Sequence, residues 1–350
     1  MSGFKTTISK IHYDKEAKGG FFALLKFCSL FYALGSGLKN RLYDKGFLKP
    51  QKVDAYVISV GNLTTGGVGK TPVVALIAEY FADKGEKVAI VSRGYCGKLS
   101  GVNVISDGKK TFFTADMAGD EPFWLAEKVK GACVITSKNR FKASKYAVEK
   151  FGATKIVLDD GFQHRKLHRD LDIVLIDSEM GFGNENLLPA GPLREGLEAF
   201  SRIDKLVVVS KSTDHARAEK YAKIMGKKLK KGTSVCYTEP DYAYNIFSPE
   251  EKLKIGEKVL AFSAIGQPQQ FYKFLADFDV VKTVDFDDHH IYTQADVERL
   301  RQYGVKTLIT TEKDGGKLIG LDFKDLKVFA LKLQTNLDVE KLLNGCQCDY

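Results

Sequence analysis

The 350-residue chain carries six cysteines but no CxxC pair, and its only close spacing is Cys346 and Cys348 at the end. With Cys28, Cys96, Cys133 and Cys236 scattered, the pattern excludes a disulfide framework and points to a reducing cytosol. No secretory leader is recognisable: the first apolar run begins at Phe21 and lacks a small-residue cleavage site. There is no low-complexity tract, no internal repeat, no recognisable nucleic-acid-binding module, and no run of about 20 apolar residues of the kind that crosses a bilayer. The length exceeds what one ordinary core accommodates, so two domains are expected.

What is present is an ordinary globular composition, 44% apolar and 28% charged, with a net charge of +9. The basic excess is concentrated at the start. Within the first 52 residues, nine lysines and Arg41 face only Asp14, Glu16 and Asp44. A basic segment of this kind calls for an anionic partner. Its middle, "FFALLKFCSLFYAL" (21–34), is too short at 14 residues to span a membrane. Phe21, Leu24, Leu25, Cys28, Phe31 and Tyr32 follow helical spacing, Phe22, Phe27 and Leu30 widen the apolar arc, and Lys10, Lys15, Lys18, Lys26, Lys39, Arg41 and Lys45 border it. Two readings stay open: a helix buried against the domain, or an amphipathic helix lying in the interface of an anionic membrane. Bunched aromatics favour the membrane and count against nucleic acid.

From Val53 the pattern changes to short apolar runs alternating with helical stretches. Strands are expected at 55–61, 87–92, 132–136, 155–161, 172–177 and 205–212, and helices at 71–84, 121–130 and 140–151. Several of the strands are continuous Val/Ile/Leu runs, as in a parallel sheet covered on both faces. The stretch 215–255 is charged and less periodic. The pattern then restarts with strands expected at 258–266, 280–286, 306–314 and 326–333. The expected fold is α/β: a phosphate-loop NTPase-like parallel sheet domain over 53–229, a smaller α/β domain over 230–350, and a basic, membrane-associating N-terminal segment over 1–52.

After the first strand comes "TTGGVGKTP", in which Gly69, Lys70 and Thr71 match the Gly-Lys-Ser/Thr end of a phosphate-binding loop while Thr64 replaces its first glycine. Thr64, Thr65, Gly66, Gly67, Val68, Gly69, Lys70 and Thr71 are the candidate nucleotide-binding residues. Backbone N–H groups and the helix N-terminus would hold phosphate, Lys70 would reach the β/γ-phosphates, and the Thr71 hydroxyl would ligate Mg²⁺. Membrane-targeted partition and division ATPases carry a lysine where this chain has Thr65, which argues against that group. "KIVLDD" ends an apolar strand in Asp159 and Asp160, where a Mg²⁺-binding carboxylate is expected, and either acid could be the one. "GFQHRKLHRD" follows with His164 and His168. In "GDEP", Asp120 reads as a helix cap or as a carboxylate that accepts a proton from an attacking hydroxyl.

"SVGNLTTGGVGKTP", "SRGY" (92–95), "GDEP" (119–122), "DDGFQH" (159–164), "LLPAGPLRE" (187–195), "FSAIGQP" (262–268), "DDHHIY" (287–292) and "TEKD" (311–314) occur in this order. Over about 21–317 the ordered set resembles the tetraacyldisaccharide 4′-kinases, the lipid A 4′-kinases of Gram-negative bacteria. The resemblance implies transfer of the γ-phosphoryl group of ATP, with Mg²⁺, to the 4′-hydroxyl of a tetraacyldisaccharide 1-phosphate, giving lipid IVA. It implies Asp120 as general base, Glu121 beside it near the metal, and Asp159 and Asp160 as the acidic strand end. A histidine of "DHH", His289 first and His290 in reserve, would support the base, and Arg194 would stabilise phosphate charge. It also implies an enzyme on the cytoplasmic face of the inner membrane, peripheral or monotopic, with a lipid substrate and no nucleic acid. Two departures stand out: Cys96 where glycine is usual, and Gly196 where proline is common. The rival from another class is a membrane-positioned ATPase that works as a partner-binding switch.

Overall fold

The structure is a computed structural model and describes residues 8, 10–211, 215–288 and 290–346. Seven strands form its first part: β1 (Tyr56–Asn62), β2 (Val88–Ser92), β3 (Asn103–Ser106), β4 (Ala132–Thr136), β5 (Lys155–Asp159), β6 (Leu171–Asp177) and β7 (Lys205–Ser210). All neighbouring pairs here are parallel except β3 with β4. Along β2, Val88 and Ile90 face α2 (Lys70–Asp83), which presents Val73, Ile77 and Phe81. Ala89 and Val91 turn the other way, towards α4 (Arg140–Phe151), which presents Ala143 and Ala147. The period-two alternation thus fills both layers, and each fully buried aliphatic side chain contributes about 1.5–3 kcal/mol. Between these helices in sequence lies α3 (Asp120–Lys128).

The strand order runs β7-β6-β1-β5-β2-β4-β3. The chain lays strands to one side of β1 until β5, then crosses over to β6 on the other. That reversal opens a crevice at the carboxyl ends of β1, β5 and β6, the place where ligands of such sheets bind. Asn62, Asp159 and Asp177 end those three strands.

The charged 215–255 stretch is more regular than its sequence suggests. It contains α5 (His215–Leu229), β8 (Gly232–Asn245) and β9 (Ser248–Lys252). Strand β8 is 14 residues long. Its first half runs parallel to β7, and its second half runs antiparallel to β13 (Lys327–Asn336), with a register shift beside Pro240. One sheet therefore continues through β13, β12 (Thr307–Thr311), β10 (Lys258–Ser263) and β11 (Asp279–Asp285). Strand β8 is not legible in the sequence because its side chains show no regular alternation of buried and exposed positions along its length. Helices α6 (Pro268–Lys273), α7 (Gln294–Arg301) and α8 (Glu312–Lys317) flank these strands, and α9 (Val339–Leu343) closes the fold. The strand expected at 306–314 stops at Thr311, which caps α8 by accepting the Asp314 N–H at 3.1 Å.

The apolar N-terminal run is the amino-terminal part of a longer helix, α1 (Gly20–Asp44), of 25 residues. At 1.5 Å per residue it is about 37 Å long, so shortness no longer argues against a bilayer. The helix docks through its small and polar side chains. Ser29 donates to the Leu187 carbonyl at 2.9 Å, Tyr32 to that of Arg194 at 2.9 Å, and Asn40 to the Glu195 carboxylate at 2.9 Å. Only Leu25 and Ser29 are buried. Phe27, Leu30, Phe31 and Leu34 face outwards, 57%, 60%, 63% and 70% exposed. A helix docked on its polar side with its apolar side bare reverses the usual arrangement of a surface helix in water.

Candidate functional site

The crevice is built around a loop whose shape needs glycine. A Cβ at Gly61 would lie 2.5 Å from that of Phe162, so the turn after β5 packs directly on the end of β1. Gly66 and Gly69 have φ of 109° and 93°, the left-handed region. Gly69 is the residue before α2, whose first turn carries Lys70 and the buried Thr71. The helix start carries no side-chain cap, which leaves its N–H groups and positive dipole end to the crevice. Strap 187–194 runs alongside, with Thr65 N–H donating to the Pro192 carbonyl and Arg194 N–H to that of Leu63, both at 2.7 Å. The amino-terminal arm reaches the same loop: the Tyr13 hydroxyl donates to the Thr65 carbonyl at 3.2 Å. Lys211, just past β7, holds the Gly67 carbonyl and pairs with Asp177 at 3.3 Å. Burial pushes its ammonium below the ordinary lysine range, with Asp177 opposing that shift.

The two adjacent acids at the end of β5 have different surroundings. Asp160 (φ 53°) turns out of the strand and meets Arg194 Nη1 at 2.8 and 3.0 Å and Lys70 Nζ at 3.4 Å. Burial works to raise its carboxyl, but the two cations outweigh it and hold it below the usual range. Asp159 is 1% exposed, and among the described residues its only side-chain hydrogen-bond partner is Ser92, at 3.4 Å on Oδ2. Its buried Oδ1 has no hydrogen-bond partner among the described residues. Burial, then the negative charge of Glu121, pushes its carboxyl up to about 7. The buried Arg140 guanidinium reaches the Asp159 carbonyl at 3.5 Å.

Gly119 (φ 92°) sets the start of α3, where a Cβ would stand 2.5 Å from the Tyr95 carbonyl. The "SRGY" turn therefore fixes where Asp120 and Glu121 emerge. Both acids are met by lysines of α8: Lys317 Nζ lies 2.8 Å from Asp120 Oδ2, and Lys313 Nζ 3.4 Å from Glu121 Oε1. Cys96 sits in the same group. Its thiol is pushed up first by burial and then by Asp120, Asp288 and Glu121, and its φ is 61°, a conformation that suits the glycine usual there. His290 is engaged elsewhere, 3.0 Å from Asp296 and stacked on the Phe286 ring. His289 lies outside the described residues. Asp120, Glu121, Asp159, Asp160, Lys70 and Arg194 are thus gathered at one crevice from four separate stretches of chain.

Lys317, Lys313, Arg140 and Lys211 were not among the sequence candidates. For Lys313 a signal existed, because "TEKD" (311–314) was part of the ordered motif set without an assigned role; Lys317 lies three residues beyond that motif. The donor set suits a hard cation: an orphaned buried carboxylate oxygen on Asp159, the Glu121 carboxylate close by, and the Thr71 hydroxyl at the start of α2. Among the described residues no three acidic, histidine or cysteine side chains converge on a point. Mg²⁺ is generally held by one or two carboxylates, with water and phosphate oxygens completing the shell. The chemistry on offer is phosphoryl transfer: an anion-binding loop, cations for phosphate charge, and a carboxylate able to take a proton.

Comparison with known proteins agrees. A family model described as tetraacyldisaccharide-1-P 4′-kinase (LpxK) matches residues 21–346. The tetraacyldisaccharide 4′-kinase of Syntrophus aciditrophicus is 36% identical, over 93% of this chain and 92% of that protein. That of Geobacter metallireducens is 39% identical over 85% of this chain and 88% of its own length. Among solved structures, LpxK from Aquifex aeolicus in complex with ATP superposes with a TM-score of 0.75 at 34% identity, covering 93% of this chain and 97% of that one.

Proposed function

The chain belongs to the tetraacyldisaccharide-1-P 4′-kinase family, and we propose how its crevice performs that activity. It is a lipid kinase of lipid A biosynthesis, which phosphorylates the 4′-hydroxyl of a tetraacyldisaccharide 1-phosphate. ATP binds with its phosphates on Thr64–Thr71, where the backbone N–H groups and the dipole of α2 meet them. Lys70 moves from Asp160 onto the β/γ-phosphates, and Arg194 neutralises charge that builds on the transferred group. Asp160 holds Lys70 before the nucleotide arrives and keeps Arg194 in place throughout. Asp159, Glu121 and Thr71 would hold Mg²⁺, which would neutralise phosphate charge when bound. Asp120 accepts the proton of the attacking hydroxyl.

Residues 53–229 act as the nucleotide-binding domain, and 230–350 as the smaller domain that covers the crevice with α8. The bare apolar face of α1 rests in the cytoplasmic leaflet of the inner membrane, with the lysines of the first 52 residues towards its anionic head groups. A lipid acceptor whose acyl chains stay in the bilayer requires such placement.

The observation that carries this reading is the convergence of Lys70, Asp160 and Arg194 with an orphaned Asp159 and with Asp120 at the crevice. The test is radiolabel transfer from γ-labelled ATP to tetraacyldisaccharide 1-phosphate in detergent micelles, for wild type and Asp120→Ala. Label in the lipid, sharply reduced in the variant, is the expected result. Equal transfer by both removes Asp120 from the proton-accepting role. Hydrolysis without lipid labelling rejects the kinase mechanism.

A further inference from the structure

The group that holds Asp120 comes from near the other end of the chain. Lys317 is the last residue of α8, its side chain is 8% exposed, and its Nζ sits between two carboxylates: Asp120 Oδ2 at 2.8 Å and Asp314 Oδ1 at 3.3 Å. Asp314 is fully buried. Its Oδ2 accepts the Ala264 N–H at 3.0 Å, from the residue just past β10, and the Thr311 hydroxyl at 2.9 Å, from the end of β12. Three residues apart on one helix face, Asp314 and Lys317 point the same way. The ammonium is therefore anchored through Asp314 to the ends of two strands of the carboxyl-terminal part, and it meets the Asp120 carboxylate on α3.

We propose that Lys317 is a positioning residue for the phosphoryl transfer: anchored by Asp314, it aims the Asp120 carboxylate at the acceptor hydroxyl. The inference rests on Asp120 being the proton acceptor. An ion pair serving only as glue between two parts of the fold would join any two surfaces. This one joins the carboxyl-terminal part to the first residue of α3, at the crevice and next to Glu121. The lysine donates up to three hydrogen bonds, enough for both carboxylates at once. A general base displaced by about 1 Å loses much of its effect, so the expected signature is a loss of kcat rather than of nucleotide affinity.

The experiment measures kcat and the KM for ATP in the micelle assay for Lys317→Met, Lys317→Arg, Asp120→Asn and Lys317→Met/Asp120→Asn, with a calorimetric melt of each. Lys317→Met is expected to lower kcat about 10- to 100-fold with KM for ATP nearly unchanged. Lys317→Arg, which keeps the charge, should recover most of that loss. In the Asp120→Asn background the same change should cost less than about threefold, because the group being aimed is gone. Wild-type kcat in Lys317→Met with an impaired Asp120→Asn overturns the inference alone. So does an equal loss in both backgrounds, which identifies a structural role. Wild-type kcat in Asp120→Asn overturns the proton-acceptor reading, and the inference with it. Should Lys317→Met not accumulate as folded protein, Lys317→Met/Asp314→Asn removes both charges of the buried pair and is judged by the same outcomes.

Discussion

Replacing Phe27, Leu30, Phe31 and Leu34 together by glutamine tests what the bare face of α1 is for. These side chains are 57%, 60%, 63% and 70% exposed, so the fold uses little of their apolar surface. Fully burying one such side chain is worth about 2 kcal/mol, so roughly 1.2 kcal/mol each, about 5 kcal/mol in all, remains to be gained by contact with lipid. A helix lying in the interface sinks only one side, and realising half of that sum gives about 2.5 kcal/mol. The expected consequence is a roughly 60-fold weaker partition onto vesicles. Flotation of the protein with vesicles containing anionic lipid measures it directly. Glutamine keeps the helix propensity, and the docking bonds of Ser29, Tyr32 and Asn40 are untouched, so the thermal melt should stay close to that of wild type. Partitioning unchanged within about threefold, from a variant that melts normally, would refute the idea that this face holds the protein at the membrane.

Three further outcomes follow from the crevice and its surroundings. Lys70→Met should raise the KM for ATP and lower kcat together, by about 100-fold or more in kcat/KM, because it removes a phosphate contact and leaves Asp160 to Arg194 alone; steady-state transfer kinetics check it. Cys96→Gly should stabilise the fold by about 1 kcal/mol in urea unfolding, since a left-handed φ of 61° costs a side-chain-bearing residue what glycine avoids. His164 is held neutral, its pKa lowered to about 4 first by burial and then by Arg140. The unfolded chain therefore binds a proton there that the folded one refuses, and stability falls as pH drops from about 6.5 towards 4. His164→Asn should flatten that part of a stability–pH curve measured by urea unfolding, and an unaltered slope would count against the assignment.

Much of this protein was legible from its residues because the relevant physics is local. A strand, a glycine-rich turn and a helix beginning at Lys70 are contiguous, so the phosphate loop could be read without knowing what surrounds it. Continuous runs such as "KIVLDD" and "DIVLID" can be satisfied only by burial on both faces, and they became β5 and β6. The order of eight short motifs identified the family.

Tertiary structure decided what depends on neighbours distant in the chain. Nothing in "DD" separates Asp159 from Asp160; the strand buries the first and turns the second out to Lys70 and Arg194, so one is left with an orphaned oxygen and the other is paired. Lys313 meets Glu121 across 192 positions, a distance over which periodicity carries no information. The apolar run announced a helix, but its polar docking contacts with 187–195 determine which side faces out. Local propensity and patterning act within a few residues, whereas an ion pair or a bare apolar face exists only once the whole chain has packed.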